Sequence, residues 1–128
     1  MGTFQVEVEI GDPQGERWEK VLMPVDTGSM YTVVPRRLLQ NLGVEPLRKA
    51  RFRLADGRAF DQEIGQTWIR LNGSAVISIV AFGEEGDETL LGAYALEGLL
   101  LAVDPVGKRL VPVESLRLCR LIPTCHRR

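Results

Sequence analysis

Apolar and polar residues alternate with a period of two at the start of the chain. Apolar side chains occupy every second position from 4 to 10 and polar ones occupy the positions between, which is the pattern of a half-buried β-strand. Turn-forming residues follow at 11–15, and residues 18–25 resume an extended pattern. These segments predict a β-hairpin whose second strand leads directly into Asp26.

Two short helices interrupt an otherwise β-rich pattern. Residues 32–34 are all β-branched and predict a strand, and Pro35 then suits the first turn of a helix over residues 36–42. Gly43 stands where a helix commonly stops. A second short helix is predicted over residues 93–99.

Three further hairpins are predicted from their turn residues. The first carries residues 55–58 at the tip of a projecting hairpin, the second turns at the Asn-Gly pair of residues 72–73, and the third turns at residues 106–108. The chain therefore reads as one mostly β domain over residues 1–114. The basic tail at residues 115–128, which contains no acidic residue, is a candidate interface segment or a disordered end.

The charge balance argues against two classes of partner. The 128 residues include 16 basic and 17 acidic side chains, for a formal net charge of -1. Such a chain has no bulk attraction for nucleic acid or for an anionic membrane. The apolar runs are far shorter than a membrane span, and the N-terminal residues lack the basic start of a signal peptide. We therefore expect a cytoplasmic protein with no nucleic-acid partner and no membrane association.

The candidate metal ligands are too few for a closed site. Cys119, Cys125 and His126 lie together near the C-terminus, and His126 is the only histidine of the chain. A structural zinc site needs four ligands, and this group supplies three at most. We expect no metal and no cofactor, and interpret the two cysteines as reduced thiols.

The sequence Asp26-Thr27-Gly28-Ser29 stands between two apolar, β-rich segments. Aspartate is depleted in strands and is rarely buried without a partner, so its position there needs a cause. One interpretation is an ordinary turn, because Asp and Gly are common turn formers. The other is a catalytic carboxylate at the floor of a cleft. The motif alone leaves both open.

The order of the elements resembles that of the retropepsin-like single-domain aspartic proteases, in particular the compact microbial cellular members. The matching parts are the Asp-Thr-Gly-Ser motif, the Thr-Val-Val-Pro segment at 32–35, a hairpin in the flap position, and Leu-Leu-Gly at 90–92. The resemblance spans residues 4–113. It implies an all-β fold, namely a closed retropepsin-like β-barrel with one or two short helices that works as a homodimer.

The resemblance also implies the catalytic residues. Asp26 would be the one catalytic aspartate of each subunit, because no other aspartate begins a second Asp-Thr-Gly or Asp-Ser-Gly. A symmetric dimer would place Asp26 opposite its own copy. Thr27 would stiffen the pair across the dimer axis, and Gly28 would let the substrate backbone approach. Ser29 departs from the alanine that is usual in retroviral members.

The implied substrate-binding residues fall in three segments. The hairpin tip corresponds to a flap that closes over substrate, although an ordinary exposed hairpin has the same local sequence. The apolar positions flanking the dyad are either subsite walls or plain core. The substrate-binding residues implied in this way are Ser29, Met30, Val33, Ala55, Asp56, Gly57, Arg58 and Leu90.

One departure from the family concerns the dimer interface. Retroviral members commonly carry an acid shortly after the catalytic motif and an arginine directly after the Leu-Leu-Gly-type glycine, and these two residues pair. Here the positions hold Met30 and Ala93, so that ionic lock is absent. We expect dimer affinity to depend on other surfaces, such as the strand at residues 4–10 or the tail.

The sequence thus predicts an aspartic endopeptidase that hydrolyses peptide or protein substrates with a water molecule activated by two copies of Asp26. The alternative is a non-catalytic dimerisation or peptide-binding module on the same fold, since fold alone does not fix function. Phosphoryl transfer is disfavoured because no Mg²⁺-binding acid stands next to Asp26.

Overall fold

A mixed six-stranded sheet forms most of the molecule, and it is seen in a computed structural model that describes residues 4–113. Two short helices and a separate two-stranded sheet pack around it. In chain order the elements are β1 (Gln5–Gly11), β2 (Trp18–Pro24), β3 (Thr32–Pro35), α1 (Arg36–Asn41), β4 (Arg48–Arg53), β5 (Ala59–Leu71), β6 (Ser74–Gly83), α2 (Ala93–Gly98), β7 (Leu101–Asp104) and β8 (Arg109–Pro112).

The main sheet has the order β2-β1-β5-β6-β3, and β4 pairs with β5 outside this path. Strand β3 runs parallel to β6, whereas the other pairs are antiparallel. The prediction of a mostly β chain with two short helices is confirmed. The predicted closed barrel is wrong for residues 4–113, because no sheet within them closes on itself.

The predicted turns occur where the sequence places them. Asn72 and Gly73 have φ angles of 53° and 83° between β5 and β6, the left-handed conformation that an Asn-Gly hairpin requires. Helix α1 is followed by Gly43, whose φ is 79° and whose N–H donates to the carbonyl of Gln40 at 3.0 Å. None of the helices in the described chain is long and apolar enough to cross a membrane. The tail, with Cys119, Cys125 and His126, lies outside the described residues.

The core lies between the inner face of the main sheet and the two helices. Phe82 of β6 is fully buried, and Leu39 of α1 and Leu96 of α2 are buried in the same apolar cluster. Burial of apolar side chains stabilises by about 25 cal/mol per Å² of area removed from water, so this cluster is the main support of the sheet. The inward faces of β1 and β2 join the same core through Val8 and Met23.

The segment Leu90-Leu91-Gly92 joins the two strands that flank the Asp-Thr-Gly motif. On one side, the Leu91 N–H donates to the Pro24 carbonyl at 2.8 Å and the Asp26 N–H donates to the Leu91 carbonyl at 2.9 Å. On the other side, Leu90 and Val33 exchange two backbone hydrogen bonds. The loop that begins at Asp26 is therefore fixed at both ends by one extended segment from far along the chain.

Gly92 is required for this crossing. A Cβ at position 92 would lie 2.6 Å from both the carbonyl carbon and oxygen of Tyr31 and 3.0 Å from the Ser29 oxygen. These are backbone atoms, so they cannot rotate away. The φ of Gly92 is -97°, which any residue adopts, and the requirement is therefore for space alone.

We predict that Gly92→Ala destabilises the fold by about 3 kcal/mol or more, the upper part of the range for overpacking in a well-packed site. The control is Gly43→Ala, where a Cβ meets nothing within 4 Å but the φ is positive. Gly43→Ala should lower the free energy of unfolding by about 1 kcal/mol, because an L-residue is strained in the left-handed conformation. Urea denaturation of both variants measures the difference, and equal losses would contradict a steric requirement at Gly92.

Candidate active site

Asp26 follows directly after β2 and begins a tight turn. The Gly28 N–H donates to Asp26 Oδ1 at 2.9 Å, and the Ser29 N–H donates to the Asp26 carbonyl oxygen at 3.1 Å. The first bond is that of an Asx turn, which fixes the carboxylate relative to the loop. Asp26 is half-buried, whereas Thr27 and Gly28 are exposed. The carboxylate thus reaches the surface of the single chain while its backbone is anchored in the fold.

The loop after Asp26 is joined to α2 by backbone hydrogen bonds. The Ala93 N–H donates to the Ser29 carbonyl at 2.8 Å, and the Tyr94 N–H donates to the Met30 carbonyl at 2.9 Å. Met30 and Ala93 are the two positions where the ionic lock of retroviral members is absent. Main-chain bonds hold the loop to the helix at this point.

Thr32 adds a buried side-chain hydrogen bond between the Asp26 loop and Gly92. Its side chain is fully buried, and its Oγ1 accepts a hydrogen bond from the Gly92 N–H at 3.0 Å. In the part of the chain that the structure describes, no buried side-chain nitrogen or oxygen lacks a hydrogen-bond partner. The loop therefore rests on a fully satisfied polar contact, which favours a single fixed arrangement.

A cleft of about 600 Å³ opens between this loop, the β4–β5 hairpin and the segment that precedes Leu90. Six residues from the site predicted by sequence line it: Gly28, Ser29, Met30, Val33, Ala55 and Leu90. Asp26 and Thr27 adjoin the cleft through Gly28 and are not part of its wall in the single chain. Within the described chain, the remaining tip residues Asp56, Gly57 and Arg58 also lie outside the wall.

The apolar residues of the site divide between wall and core. Met30 is 63% exposed and stands in the cleft wall. Val33 is half-buried, and Leu90 is buried at 9% exposure while still lining the cleft. Leu90 and Val33 thus pair with each other in the backbone and also line the cleft. They belong to the core and to the cleft wall, so the two interpretations of these residues, core and subsite wall, do not exclude each other.

Most of the remaining cleft wall was not identified from the sequence. It consists of Tyr31, Arg51, Phe52, Arg53, Leu54, Phe60, Gln62, Ala81, Asp87 and Glu88. One signal was available, because Phe52 and Leu54 are apolar at a spacing of two, and in an extended segment such residues lie on the same face. Tyr31 gave no such signal, because only the tertiary fold brings it to the hairpin.

The tip of the hairpin forms a self-contained turn. The Leu54 N–H donates to the Arg58 carbonyl at 2.7 Å, and Gly57 has a φ of 93°. Asp56 accepts from both the backbone N–H and the Nε of Arg58, at 3.0 Å and 2.7 Å. The polar side chains predicted to contact substrate are therefore paired with each other across the turn.

Aromatic side chains connect the hairpin with the Asp26 loop and α2. The Tyr31 and Phe52 rings meet edge to face with centroids 5.9 Å apart, and Tyr31 also contacts Tyr94 at 6.0 Å. Phe52 stacks on its cross-strand partner Phe60 at 5.7 Å. Three of these four rings, those of Tyr31, Phe52 and Phe60, line the cleft.

An ionic cluster fixes the base of the hairpin. Arg36 Nη2 lies 2.6 Å from a carboxylate oxygen of Glu84 and 2.8 Å from one of Glu63 on β5. Hydrogen bonding to Arg36 holds the pKa of the Glu84 carboxyl below its ordinary value, and the same bond raises the pKa of Arg36. The Gln62 Nε2 adds a hydrogen bond to the Phe82 carbonyl at 2.9 Å. The base of the hairpin is thereby tied to α1, to β6 and, through Glu84, to the acidic loop at residues 83–88.

The charged residues of the cleft lie on its two sides. Arg51 and Arg53 come from the hairpin, and Asp87 and Glu88 come from the opposite loop. Arg51 is compensated by Asp61, whose oxygen is 3.4 Å from its Nε. Within residues 4–113, no group of three or more His, Cys, Asp or Glu side chains is arranged to hold a metal ion.

Comparison with known proteins supports the fold and no narrower assignment. No protein-family model matches the chain, and no curated protein sequence matches it. Among solved structures, it is similar to the solution structure of Simian Foamy Virus (mac) protease, with 21% sequence identity and a TM-score of 0.52. The match covers 73% of this chain and 92% of that chain. The described chain therefore has a retropepsin-like fold.

We predict that Glu84→Gln destabilises the protein at neutral pH and that this difference disappears in acid. Because Arg36 depresses the folded-state pKa of Glu84 below 4.5, the ionised carboxylate contributes stability above that pH and loses it as pH falls through the folded value. Urea denaturation at pH 7, 5 and 3 measures the difference in the free energy of unfolding between parent and variant. Glu85→Gln, at an exposed neighbour, is the control, and a gap independent of pH would contradict the role assigned to Glu84.

Proposed function

We propose that this chain is an aspartic endopeptidase that acts as a homodimer, with one Asp26 from each subunit. The observation that carries the proposal is the placement of Asp26. It begins an Asp-Thr-Gly turn whose backbone is bonded to Leu91, and it adjoins a peptide-sized cleft beneath a projecting hairpin. The retropepsin-like fold supports the same assignment.

The exposure of the motif supports a site shared between two chains. Thr27 and Gly28 are exposed in the single chain, although the loop that carries them is anchored at both ends. Anchored but uncovered residues are what a symmetric interface requires, because the same patch must meet its own copy across a two-fold axis. Asp26 is also the only aspartate of the chain that stands in an Asp-Thr-Gly sequence.

The chemistry follows from bringing two carboxylates together. At a separation of about 3 Å the pair cannot carry two full negative charges, so it holds one shared proton. The ionised member takes a proton from water as the water oxygen bonds to the scissile carbonyl carbon, and the protonated member donates to the carbonyl oxygen. The tetrahedral intermediate then collapses with proton transfer to the departing amine. No acyl-enzyme forms, so the chain needs no serine or cysteine nucleophile.

The cleft suits an extended peptide. Its lining includes the apolar residues Val33, Leu90 and Phe52. An apolar substrate side chain placed there would gain burial energy, while Gly28 leaves room for the substrate backbone near Asp26. Closure of the hairpin over the peptide would exclude water from the reacting groups.

We predict that Asp26→Asn abolishes peptide cleavage, with a loss of about 10³-fold or more in kcat, because the amide cannot share the proton of the pair. The assay is cleavage of a mixed peptide library between about pH 4 and 7, where the parent should show a bell-shaped pH profile and inhibition by a statine-type compound. Glu85→Gln, an exposed carboxylate-to-amide change outside the cleft, is the control.

Equal cleavage by parent and Asp26→Asn would overturn the proposal. A parent that is dimeric, binds peptides and cleaves none would instead support a peptide-binding module, which the Asx turn at Asp26 would serve equally well.

A second prediction concerns subunit composition. When parent and Asp26→Asn chains are mixed in equal amounts and allowed to exchange, about one quarter of random dimers contain two Asp26 carboxylates. Activity should therefore fall to about one quarter of that of the same total amount of parent, because a mixed dimer has only half of the pair. If each chain were active by itself, the mixture would instead retain about one half of the activity of the same total amount of parent.

A further inference from the structure

The outer part of the projecting hairpin is restrained by one aromatic contact. From Arg51 to Asp61, the hydrogen bonds and ion pairs among the described residues all stay within the hairpin, including those at its Gly57 turn. Of the aromatic contacts in the described chain, the edge-to-face meeting of Phe52 and Tyr31 is the one that joins the hairpin to the body. This pair of rings is therefore the specific contact that can set the height of the hairpin above the cleft.

Tyr31, the partner of Phe52 in that contact, is held in place by its neighbours. The Ser29 Oγ donates to the Tyr31 carbonyl at 2.9 Å, and the neighbouring Thr32 is fully buried and bonded to the Gly92 N–H. The Tyr31 ring also leans against Tyr94 of α2. Backbone and ring are thus both held by the structure that holds Asp26.

Phe52 lies on the part of the hairpin that has few bonds to the body. Strand β4 pairs only with β5 among the described strands, and Phe52 is stacked on Phe60 across that pair. At the base, Gln62 and Glu63 are bonded to Phe82 and Arg36. A rotation of the hairpin about this tied base would carry the two phenylalanine rings together toward or away from Tyr31.

We propose that Tyr31 is a positioning residue, which seats Phe52 and so places the hairpin over the cleft before substrate arrives. The restraint itself is a property of the free protein. Its effect on turnover rests on the proposed protease function. Loss of the contact lowers the fraction of molecules with the hairpin in place, and the apparent substrate affinity falls by the same fraction.

The first test uses the free protein and requires no activity. Backbone ¹⁵N relaxation is measured for the amides of residues 51–61 in the parent and in Tyr31→Leu, Phe52→Leu, Tyr31→Phe and Tyr94→Leu. We expect increased exchange or lower order parameters in the first two variants. Tyr31→Phe is the matched control and should keep the parent values because it retains the ring, whereas Tyr94→Leu removes a support of the Tyr31 ring and should give a smaller increase in exchange than Tyr31→Leu.

The second test uses peptide cleavage. Tyr31→Leu and Phe52→Leu should each raise KM about two- to tenfold, the range that one aromatic pair supplies, with little change in kcat. The double variant should raise KM no further than either single change, because both remove the same contact. Additive effects would show that the two rings contact substrate independently and would overturn the positioning role.

The outcomes separate this inference from the proposed function. If the parent cleaves peptides but the hairpin amides are unchanged in Tyr31→Leu, the restraint is wrong and the protease assignment stands. If the parent cleaves no peptide but the relaxation changes appear, the protease assignment fails and the restraint stands as a property of the fold.

Discussion

The arrangement of the site depends on one set of backbone hydrogen bonds, those that join Leu90-Leu91-Gly92 to the strands on either side of the Asp-Thr-Gly motif. A buried extended segment must satisfy its N–H and C=O groups, and here it does so by pairing with Pro24 and Asp26 on one side and Val33 on the other. The same pairing explains the need for a glycine at 92 and the buried hydroxyl at 32. Packing of the core then holds this arrangement against the main sheet.

A rigid loop and a loosely attached hairpin meet at the cleft. The loop is hydrogen-bonded into the sheet at both ends, whereas the hairpin is held at its base through Arg36 and Gln62 and, beyond that, makes its aromatic contact with the body through Phe52. The same division is what the proposed protease function would require, with Asp26 held in place and the hairpin free to close over a substrate. Leu54 and Phe60 of the cleft lining lie on the loosely attached hairpin.

The sequence predicted what local chemistry determines. The turn at Asn72, the helix stop at Gly43 and the period-two strands all occur as predicted, because each depends on neighbouring residues. The closed barrel was wrong because sheet closure depends on how distant strands align, which no local pattern records. Tyr31 was missed for the same reason. The position of Asp26 at the end of a strand was predicted correctly, whereas in the single chain Asp26 adjoins the cleft through Gly28 and does not form its floor.

The hydrogen bond between Thr32 and Gly92 joins residues 60 positions apart in the chain. Closing a loop of that length costs conformational entropy, and this cost comes before the contact can stabilise the fold. We therefore expect the Thr32–Gly92 contact to form after the local hairpins. During synthesis, the motif leaves the ribosome long before the segment that shapes it. A growing chain therefore carries Asp26 before the segment that fixes its loop has been made, and the shape of the cleft is complete only once residues 90–92 are available to pair.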